Sequence, residues 1–303
     1  MELNTAVVHT PPRDAATVLL LRDHASLGLE VFMLRRHSDS AVLGGAYVFP
    51  GGKLDVADSL LADEHLDQAP EHLHTHLAEP SLTPQQAKGL YVAALREAFE
   101  ECGVLLADAP GGIDSKMSEM QIRIRGGAHL TDLAPEFGLV LQTSSMVPFT
   151  RWITPHRPSV MNKRFDARFF LAAVPLGQWA AHDNIEATES EWLSPSQALR
   201  DYWDGRIELA PPQIMSLVHL ARYKDVQQAM MASAQRPPPT IQPEPFDDEN
   251  GRTICYPGDP RHSQSERAMP GPSRLRYVKG RFEPRSEEHT SELQSRFGIS
   301  YAV

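Results

Sequence analysis

Residues 91–104 read Tyr-Val-Ala-Ala-Leu-Arg-Glu-Ala-Phe-Glu-Glu-Cys-Gly-Val. Within this stretch Glu97, Glu100 and Glu101 are related as i, i+3 and i+4, so a helix places their carboxylates on one face. The apolar positions then fall on the opposite side of the helix and predict a stripe that is buried in a core. That stripe consists of Tyr91, Leu95, Ala98, Phe99 and Cys102.

The limits of this helix can also be predicted. Thr83 is suited to the N-cap, Pro84 to the first helical position, and Gln86 to the third position of a capping box. Gly103 is typical of the residue that ends a helix. The sequence therefore predicts one long helix between Thr83 and Gly103.

The three acids need a compensating charge. Carboxylates within one turn repel one another, and the helix dipole disfavours negative charge near a C-terminus. Mg²⁺ and Mn²⁺ prefer carboxylate oxygens and share their remaining ligand positions with water and substrate phosphates. An isolated Glu-x-x-Glu-Glu pattern favours a solvated acidic face, so a second element is needed to favour a metal site instead.

Residues 49–55 supply that element, because Phe-Pro-Gly-Gly-Lys-Leu-Asp predicts a strand that runs into a glycine turn. Together with residues 96–104 they resemble the signature of the Nudix hydrolase superfamily. That signature reads Gly, five residues, Glu, seven residues, then Arg-Glu-apolar-x-Glu-Glu-x-Gly-apolar. Gly52 fills the first glycine, and the second half is matched by Arg96, Glu97, Ala98, Glu100, Glu101, Gly103 and Val104.

Two features depart from the usual signature. The expected glutamate is Asp58, a shorter acid, and 37 residues separate it from Arg96 where seven are usual. A long insertion at this point resembles the branch related to the peroxisomal coenzyme A diphosphatases of animals. Residues 34–52, 151–155 and 164–170 also resemble that branch.

The resemblance implies an α/β protein with the Nudix fold, a mixed β-sheet sandwiched between helices (α/β/α), with a helical insertion. The Nudix domain is expected over residues 13–235, with the insertion at about 59–82. Residues 236–284 are rich in proline and predict an irregular extension with few contacts. Residues 285–303 begin with a segment that resembles the translation of a sequencing-adapter oligonucleotide, and an ordinary polar tail is the alternative.

Individual elements were also predicted around the signature. Residues 15–36 hold two β-rich runs separated by turn residues, which predicts a hairpin. A further strand is expected at residues 169–174. Helices are expected at residues 194–202 and 212–234.

The resemblance further implies roles for particular residues. Glu97, Glu100, Glu101 and the carbonyl group of Gly52 are the expected ligands of Mg²⁺ or Mn²⁺. Arg96 is expected to orient an acid of the signature through a bidentate pair. The general base is expected to be Glu97 or Glu101, or else one of two acids nearer the C-terminus, Glu186 and Glu189.

The implied reaction is hydrolysis of a nucleoside diphosphate derivative. Coenzyme A or an acyl-coenzyme A is the first candidate substrate, with 3',5'-ADP and a 4'-phosphopantetheine species as products. The alternatives are ADP-ribose or NADH as substrate, and a catalytically silent module that binds a nucleotide. Cations near the recognisable segments are candidate substrate ligands: Arg35, Arg36, Lys53, Lys163, Arg164 and Arg168.

Composition argues against several other classes of function. The net charge of −10 disfavours nucleic acid or an anionic membrane as partner, and the apolar runs are too short to span a bilayer. Two cysteines cannot form a disulfide framework, and the N-terminus lacks a secretory signal, so a cytoplasmic location is expected. The sequence leaves the oligomeric state open, with a homodimer as one option.

Overall fold

The structure is a computed structural model and describes residues 3–4, 6–37, 40, 43–160, 162–182 and 187–285. Its centre is a mixed sheet of eight strands, in the order β10-β7-β8-β1-β2-β3, with β4 paired to β1 and β9 paired to β2. The strands are β1 (Arg13–His24), β2 (Gly28–Arg36), β3 (Tyr47–Val48), β4 (Gly51–Lys53), β7 (Met146–Ile153), β8 (Phe165–Ala173), β9 (Ala187–Leu193) and β10 (Thr240–Ile241). A separate pair is formed by β5 (Ala107–Asp108) and β6 (Val140–Leu141).

Helices cover both faces of this sheet and enclose two apolar clusters. The first face carries α1 (Val56–Leu60), α2 (Pro70–Leu77), α3 (Pro84–Cys102), α4 (Asp114–Arg125) and α5 (Leu130–Phe137), together with short 3-10 helices at Asp63–His65 and Thr143–Ser145. The second face carries α6 (Pro195–Trp203), α7 (Pro211–Leu220) and α8 (Val226–Ala234). The predicted layering of helices around a mixed sheet is therefore confirmed. Among the described residues, every helix is too short or too polar to cross a bilayer.

Helix α3 forms as the sequence predicts. The amide of Gln86 donates to Oγ1 of Thr83 over 3.2 Å, and the amide of Thr83 donates to Oε1 of Gln86 over 2.8 Å, which completes the capping box. The helix ends at Gly103, whose φ of 68° lies in the left-handed region. The predicted apolar stripe is buried, with Tyr91 and Ala98 fully inaccessible to solvent.

The hairpin of β1 and β2 is also confirmed, since the two strands pair antiparallel from Leu21 with Val31 to His24 with Gly28. The strand expected at residues 169–174 is observed as β8. The single helix expected over residues 212–234 is wrong, because the chain forms two helices there. Asp225 caps α8 by accepting a hydrogen bond from the amide of Gln228, and the chain changes direction before it.

The expectation of an irregular, weakly packed C-terminal extension is also wrong. Residues 244–285 include a four-stranded antiparallel sheet, and their apolar side chains join the cluster on the second face. Side chains of Ile254, Tyr256 and Phe282 are at most 5% exposed. Proline is tolerated here because these strands are short and lie at edges and turns. The strands are β11 (Glu244–Asp248), β12 (Gly251–Cys255), β13 (Arg274–Val278) and β14 (Arg281–Arg285).

The insertion in the signature is compact and largely helical. It contains the end of α1, a 3-10 helix and α2, and Leu73 and Leu77 of α2 pack into the cluster on the first face. Residues 286–303, which hold most of the segment that resembles an adapter translation, lie outside the described residues.

Candidate active site

A cavity of about 530 Å³ lies between the central sheet, the start of α7 and the C-terminal extension. Its size is typical of sites for small molecules. The titratable side chains that line it are Arg13, Arg36, Lys53, Asp55, Glu97, Glu101 and Lys163. The remaining lining is mainly apolar, so the cavity combines charged side chains with a large hydrocarbon surface.

Helix α3 brings two of its three predicted acids to this cavity. Glu97 and Glu101 line it and are only 9% and 8% exposed. Glu100 points elsewhere: its Oε1 lies 3.5 Å from the amide nitrogen of Leu130 and 3.7 Å from Nδ1 of His129. The acids of the signature thus lie on one side of the helix, but only two of them reach the cavity.

Strand β4 presents its outer edge to α3. The amide of Gly51 donates to Oε2 of Glu101 over 3.1 Å, and the carbonyl group of Lys53 accepts from Nη2 of Arg96 over 3.0 Å. Gly52 must be glycine, because a Cβ atom there would lie 2.1 Å from Oε1 of Glu97. Main chain and acids are therefore in direct contact, although Gly51–Lys53 form a strand and not the turn that the glycines predict.

The expected role of the Gly52 carbonyl group needs a correction. The amide of Val18 donates to the carbonyl group of Pro50, and the amide of Leu54 donates to the carbonyl group of Asp14. Gly52 is paired with Ala16, midway between these two bonds. Hydrogen-bonded pairs alternate along an antiparallel ladder, so the carbonyl group of Gly52 points to β1. The peptide groups of Gly51 and Lys53 point the other way, to α3. The main-chain oxygen that faces the acids is therefore that of Gly51.

Arg96 holds the acids in place from below the cavity. It is 4% exposed, and Nη1 donates to Glu97 over 2.7 Å and to Glu100 over 3.1 Å. Nε and Nη2 donate to the two oxygens of Asp58 over 2.9 and 3.1 Å. Burial opposes the charge of Arg96, but the hydrogen bonds with Asp58 and the charges of Glu97 and Glu100 outweigh burial and raise its pKa above the ordinary value. Asp58 thus performs an orienting function despite being shorter than the expected glutamate.

The donor atoms at the cavity fit a hard divalent cation. The described residues contain no group of three His, Cys, Asp or Glu side chains that converge as a ready-made metal cluster. Glu97 and Glu101 nevertheless present carboxylate oxygens to the same space, beside the outward peptide group of Gly51. An ion such as Mg²⁺ keeps several water ligands and is commonly held by one or two carboxylates together with substrate phosphates.

One of the two candidate bases outside α3, Glu189, is not part of this arrangement. Glu189 does not line the cavity; it lies on β9, where Nη1 of Arg35 contacts both its carboxylate oxygens at 3.0 Å and Tyr47 donates to it. Burial, followed by the charges of Glu191 and Glu189, raises the pKa of the Tyr47 hydroxyl group. Glu186 lies outside the described residues.

The predicted substrate cations divide into two groups. Arg36, Lys53 and Lys163 line the cavity, whereas Arg35 forms an ion pair with Glu189 away from it. Two further arginines do not line the cavity either, because their side chains are held by contacts within the fold. Arg164 donates to the carbonyl groups of Thr154 and Thr10, and Arg168 is buried against Glu79 and Asp14.

Sequence reasoning missed Arg13 and the apolar wall. Arg13, Ala15 and Thr17 alternate along β1 and line one side of the cavity, so strand periodicity alone could have grouped them. The contribution of Pro243, Pro245 and Ile254 from the extension had no local signal. Only the folded chain brings these residues to the acids of α3.

Comparison with known proteins agrees with this geometry. A family model described as "NUDT19 Nudix domain" matches residues 63–220, which is more than half of the chain. The chain belongs to this Nudix family. A crystal structure of a NUDIX hydrolase from Alicyclobacillus acidocaldarius has the same fold, with a TM-score of 0.63 and 26% sequence identity. The alignment covers 74% of this chain and 97% of that one.

Curated relatives in this Nudix family include two named "Acyl-coenzyme A diphosphatase NUDT19". The Xenopus laevis protein is 25% identical over 232 residues, and the Homo sapiens protein is 28% identical over 234 residues. Each alignment covers 65% of this chain and 61% of the relative. The chain therefore spans about three fifths of the length of these relatives.

Proposed function

We propose that this chain hydrolyses the diphosphate bond of coenzyme A or an acyl-coenzyme A with Mg²⁺ or Mn²⁺, giving 3',5'-ADP and a 4'-phosphopantetheine species. The observation that carries the proposal is the joint presence of Glu97, Glu101 and the cations Arg36 and Lys53 on one cavity. A diphosphate needs its charge neutralised and a water molecule aligned with the departing phosphate. The names of the relatives favour coenzyme A derivatives among the possible diphosphates.

The proposal gives a role to the acids of α3, to Arg96 and to two cations of the cavity. A divalent cation bound at Glu97 and Glu101 would neutralise phosphate charge and lower the pKa of the attacking water. Either of these glutamates then takes the proton from water, since both carboxylates line the cavity. Arg96 is a positioning residue, because its contacts fix Glu97 from beneath. Arg36 and Lys53 bind the phosphate oxygens, and Glu100 supports the site from the outer side of α3.

ADP-ribose or NADH is the alternative substrate class, because the charged end of the cavity suits any nucleoside diphosphate derivative. A silent nucleotide-binding module is the other alternative. The presence of all three acids of the signature favours catalysis over the silent module. An assay with a panel of substrates separates the three possibilities.

The test is a panel assay of the purified chain with Mg²⁺ and then with Mn²⁺. Coenzyme A, acetyl-coenzyme A, ADP-ribose, NADH and diadenosine polyphosphates are offered separately, and products are separated by chromatography. Release of 3',5'-ADP together with a phosphopantetheine species from the coenzyme A substrates supports the proposal. Hydrolysis of ADP-ribose or NADH alone would move the assignment to the alternative substrates, and no turnover across the panel would favour the silent module.

The cytoplasmic location and a homodimer belong to the same proposal. Fluorescence microscopy of the tagged chain in its host tests the location. Light scattering of the purified chain tests the dimer.

A further inference from the structure

The floor of the cavity runs from the charged end to an aromatic end. Register places Lys53 of β4 beside Ala15 of β1, Ala15 beside Ala167 of β8, and Ala167 beside Trp152 of β7. All four residues line the cavity. Three strand spacings separate the ends of this row, about 14 Å in total. The short side chains of the two alanines leave space above the middle of this row, so a ligand can lie along it.

The far end of this floor is enclosed by hydrocarbon. Trp152 and Phe169 are each 4% exposed, and their rings lie 6.2 Å apart. Phe165 and Val160 add further apolar surface to the lining. Polar side chains also approach this end, because Arg13 pairs with Phe165 in register and Thr154 and Lys163 line the same cavity.

The C-terminal extension supplies the wall above this aromatic end. Pro243, Pro245 and Ile254 line the cavity, and Ile254 is 5% exposed. Contacts with the central sheet hold the extension in place: β10 pairs parallel with β7, and the ring of Tyr256 packs edge-on against Trp152 at 6.1 Å. The wall therefore has a defined position relative to the floor.

We propose that this apolar end binds the acyl chain of an acyl-coenzyme A, and that the C-terminal extension sets the preference for acylated over free coenzyme A. The inference rests on the proposed function, because it takes the diphosphate to lie at Glu97 and Glu101. The acyl chain is the apolar end of such a substrate, and about 14 Å of floor lies between the charged and apolar ends of the cavity. Burial of each methylene group there contributes about fourfold to kcat/KM.

The test compares kcat/KM for octanoyl-coenzyme A and free coenzyme A in the full chain. The wild type is expected to favour octanoyl-coenzyme A by at least about tenfold. Ile254→Phe adds bulk at the wall and is expected to lower this ratio by about 15-fold, which corresponds to two methylene groups excluded. Its kcat/KM on octanoyl-coenzyme A should fall more than its kcat/KM on free coenzyme A, because only the acylated substrate carries the chain that meets this wall.

A second variant and a control accompany this test. Pro245→Phe adds bulk at a half-buried position of the same wall, and it covers the case in which Ile254→Phe does not fold. Val278→Phe is the matched control, because Val278 is half-buried in the same sheet but does not line the cavity. It should leave the ratio unchanged.

The outcomes separate this inference from the proposed function. An unchanged ratio in folded Ile254→Phe and Pro245→Phe overturns the inference while hydrolysis of coenzyme A stands. An equal loss on both substrates also overturns it, because the wall would then contact a part that both substrates share. If the wild type turns over neither substrate, both the proposed function and the inference are overturned.

Discussion

Asp58 and Arg96, 38 positions apart in sequence, form a bidentate ion pair that joins the two halves of the Nudix signature. Asp58 is fully buried, and it also accepts a hydrogen bond from the amide of Asp55 at the start of α1. The pair holds the glycine strand and the acidic helix together although a long insertion separates them in the chain. The insertion can therefore fold as a side unit without separating the residues that line the cavity.

Replacing Asp58 with Asn should lower the free energy of unfolding by about 3 to 5 kcal/mol, because it leaves a buried guanidinium without its main partner. Urea denaturation followed by circular dichroism measures this loss. Asp55→Asn is the control, since Asp55 lies 3.8 Å from Arg96 and its side chain is 50% exposed. The control should cost less than about 1 kcal/mol. Equal losses in the two variants would contradict a special role for the Asp58–Arg96 pair.

Gly52→Ala should strongly lower activity while the protein stays folded. The new methyl group would meet Oε1 of Glu97 at 2.1 Å and force this carboxylate away from the cavity. We expect kcat/KM to fall by at least about 100-fold. Gly126→Ala serves as the comparison, because Gly126 lies at the end of α4 with an ordinary φ of −79°. A similar loss in both variants would argue against the contact with Glu97.

Glu101→Gln should lower kcat by about 100-fold or more, because the amide neither binds a divalent cation well nor accepts a proton from water. Glu189→Gln should keep kcat within about threefold, since Glu189 pairs with Arg35 outside the cavity. Initial rates at saturating Mg²⁺ measure both. A large loss in Glu189→Gln alone would move the general base from α3 to β9.

Arg36→Gln should raise KM about tenfold with little change in kcat, because the side chain lines the cavity and its charge is proposed to bind phosphate. Its neighbour Arg35 provides a matched control, as Arg35→Gln removes the same charge one residue away and outside the cavity. Steady-state kinetics on one substrate compares the two variants. Equal KM values for both would show that Arg36 does not bind substrate.

Stability should decrease between pH 7 and pH 5 through His219. Burial, followed by the charges of Arg236 and Arg222, lowers the pKa of His219 to about 3 in the folded chain. Below the ordinary pKa of 6.5, His219 takes up a proton in the unfolded chain but not in the folded chain. The contribution of neutral His219 to the free energy of unfolding is therefore fully present above pH 6.5 and is lost as the pH falls. The loss at pH 5 is about 2 kcal/mol.

Urea denaturation at the two pH values measures this effect, and His219→Gln isolates it from the carboxylates that titrate lower. The variant should lack about 2 kcal/mol of the pH dependence seen in the wild type. The same pH dependence in wild type and variant would mean that His219 takes up its proton in the folded chain as readily as in the unfolded chain.

Local chemistry was sufficient to predict the elements that carry the signature. Thr83, Gln86 and Gly103 act on neighbouring peptide groups, so the ends of α3 follow from the sequence alone. The resemblance of residues 49–55 and 96–104 to the Nudix signature placed the acids beside the glycine turn. Fold class and the choice of Glu97 and Glu101 as candidate site residues needed no tertiary information.

Other predictions failed because they depend on contacts between distant parts of the chain. Arg168 and Lys53 look alike as cations in the sequence, yet Arg168 is buried against Glu79 whereas Lys53 is exposed at the cavity. The proline content of residues 236–284 suggested irregular backbone, but Ile254 and Phe282 find a core to pack against on the second face of the sheet. Burial and pairing of this kind have no local signature.

The sequence by itself determined the acidic helix and the family, because capping groups and residue spacing act over a few residues. Tertiary structure alone decided which charges face the cavity and which peptide oxygen of the glycine strand faces the acids. It also decided that the extension encloses the apolar end. These properties arise from strand register and from burial of side chains far apart in the chain, which only the complete packing of the sheet and its helices specifies.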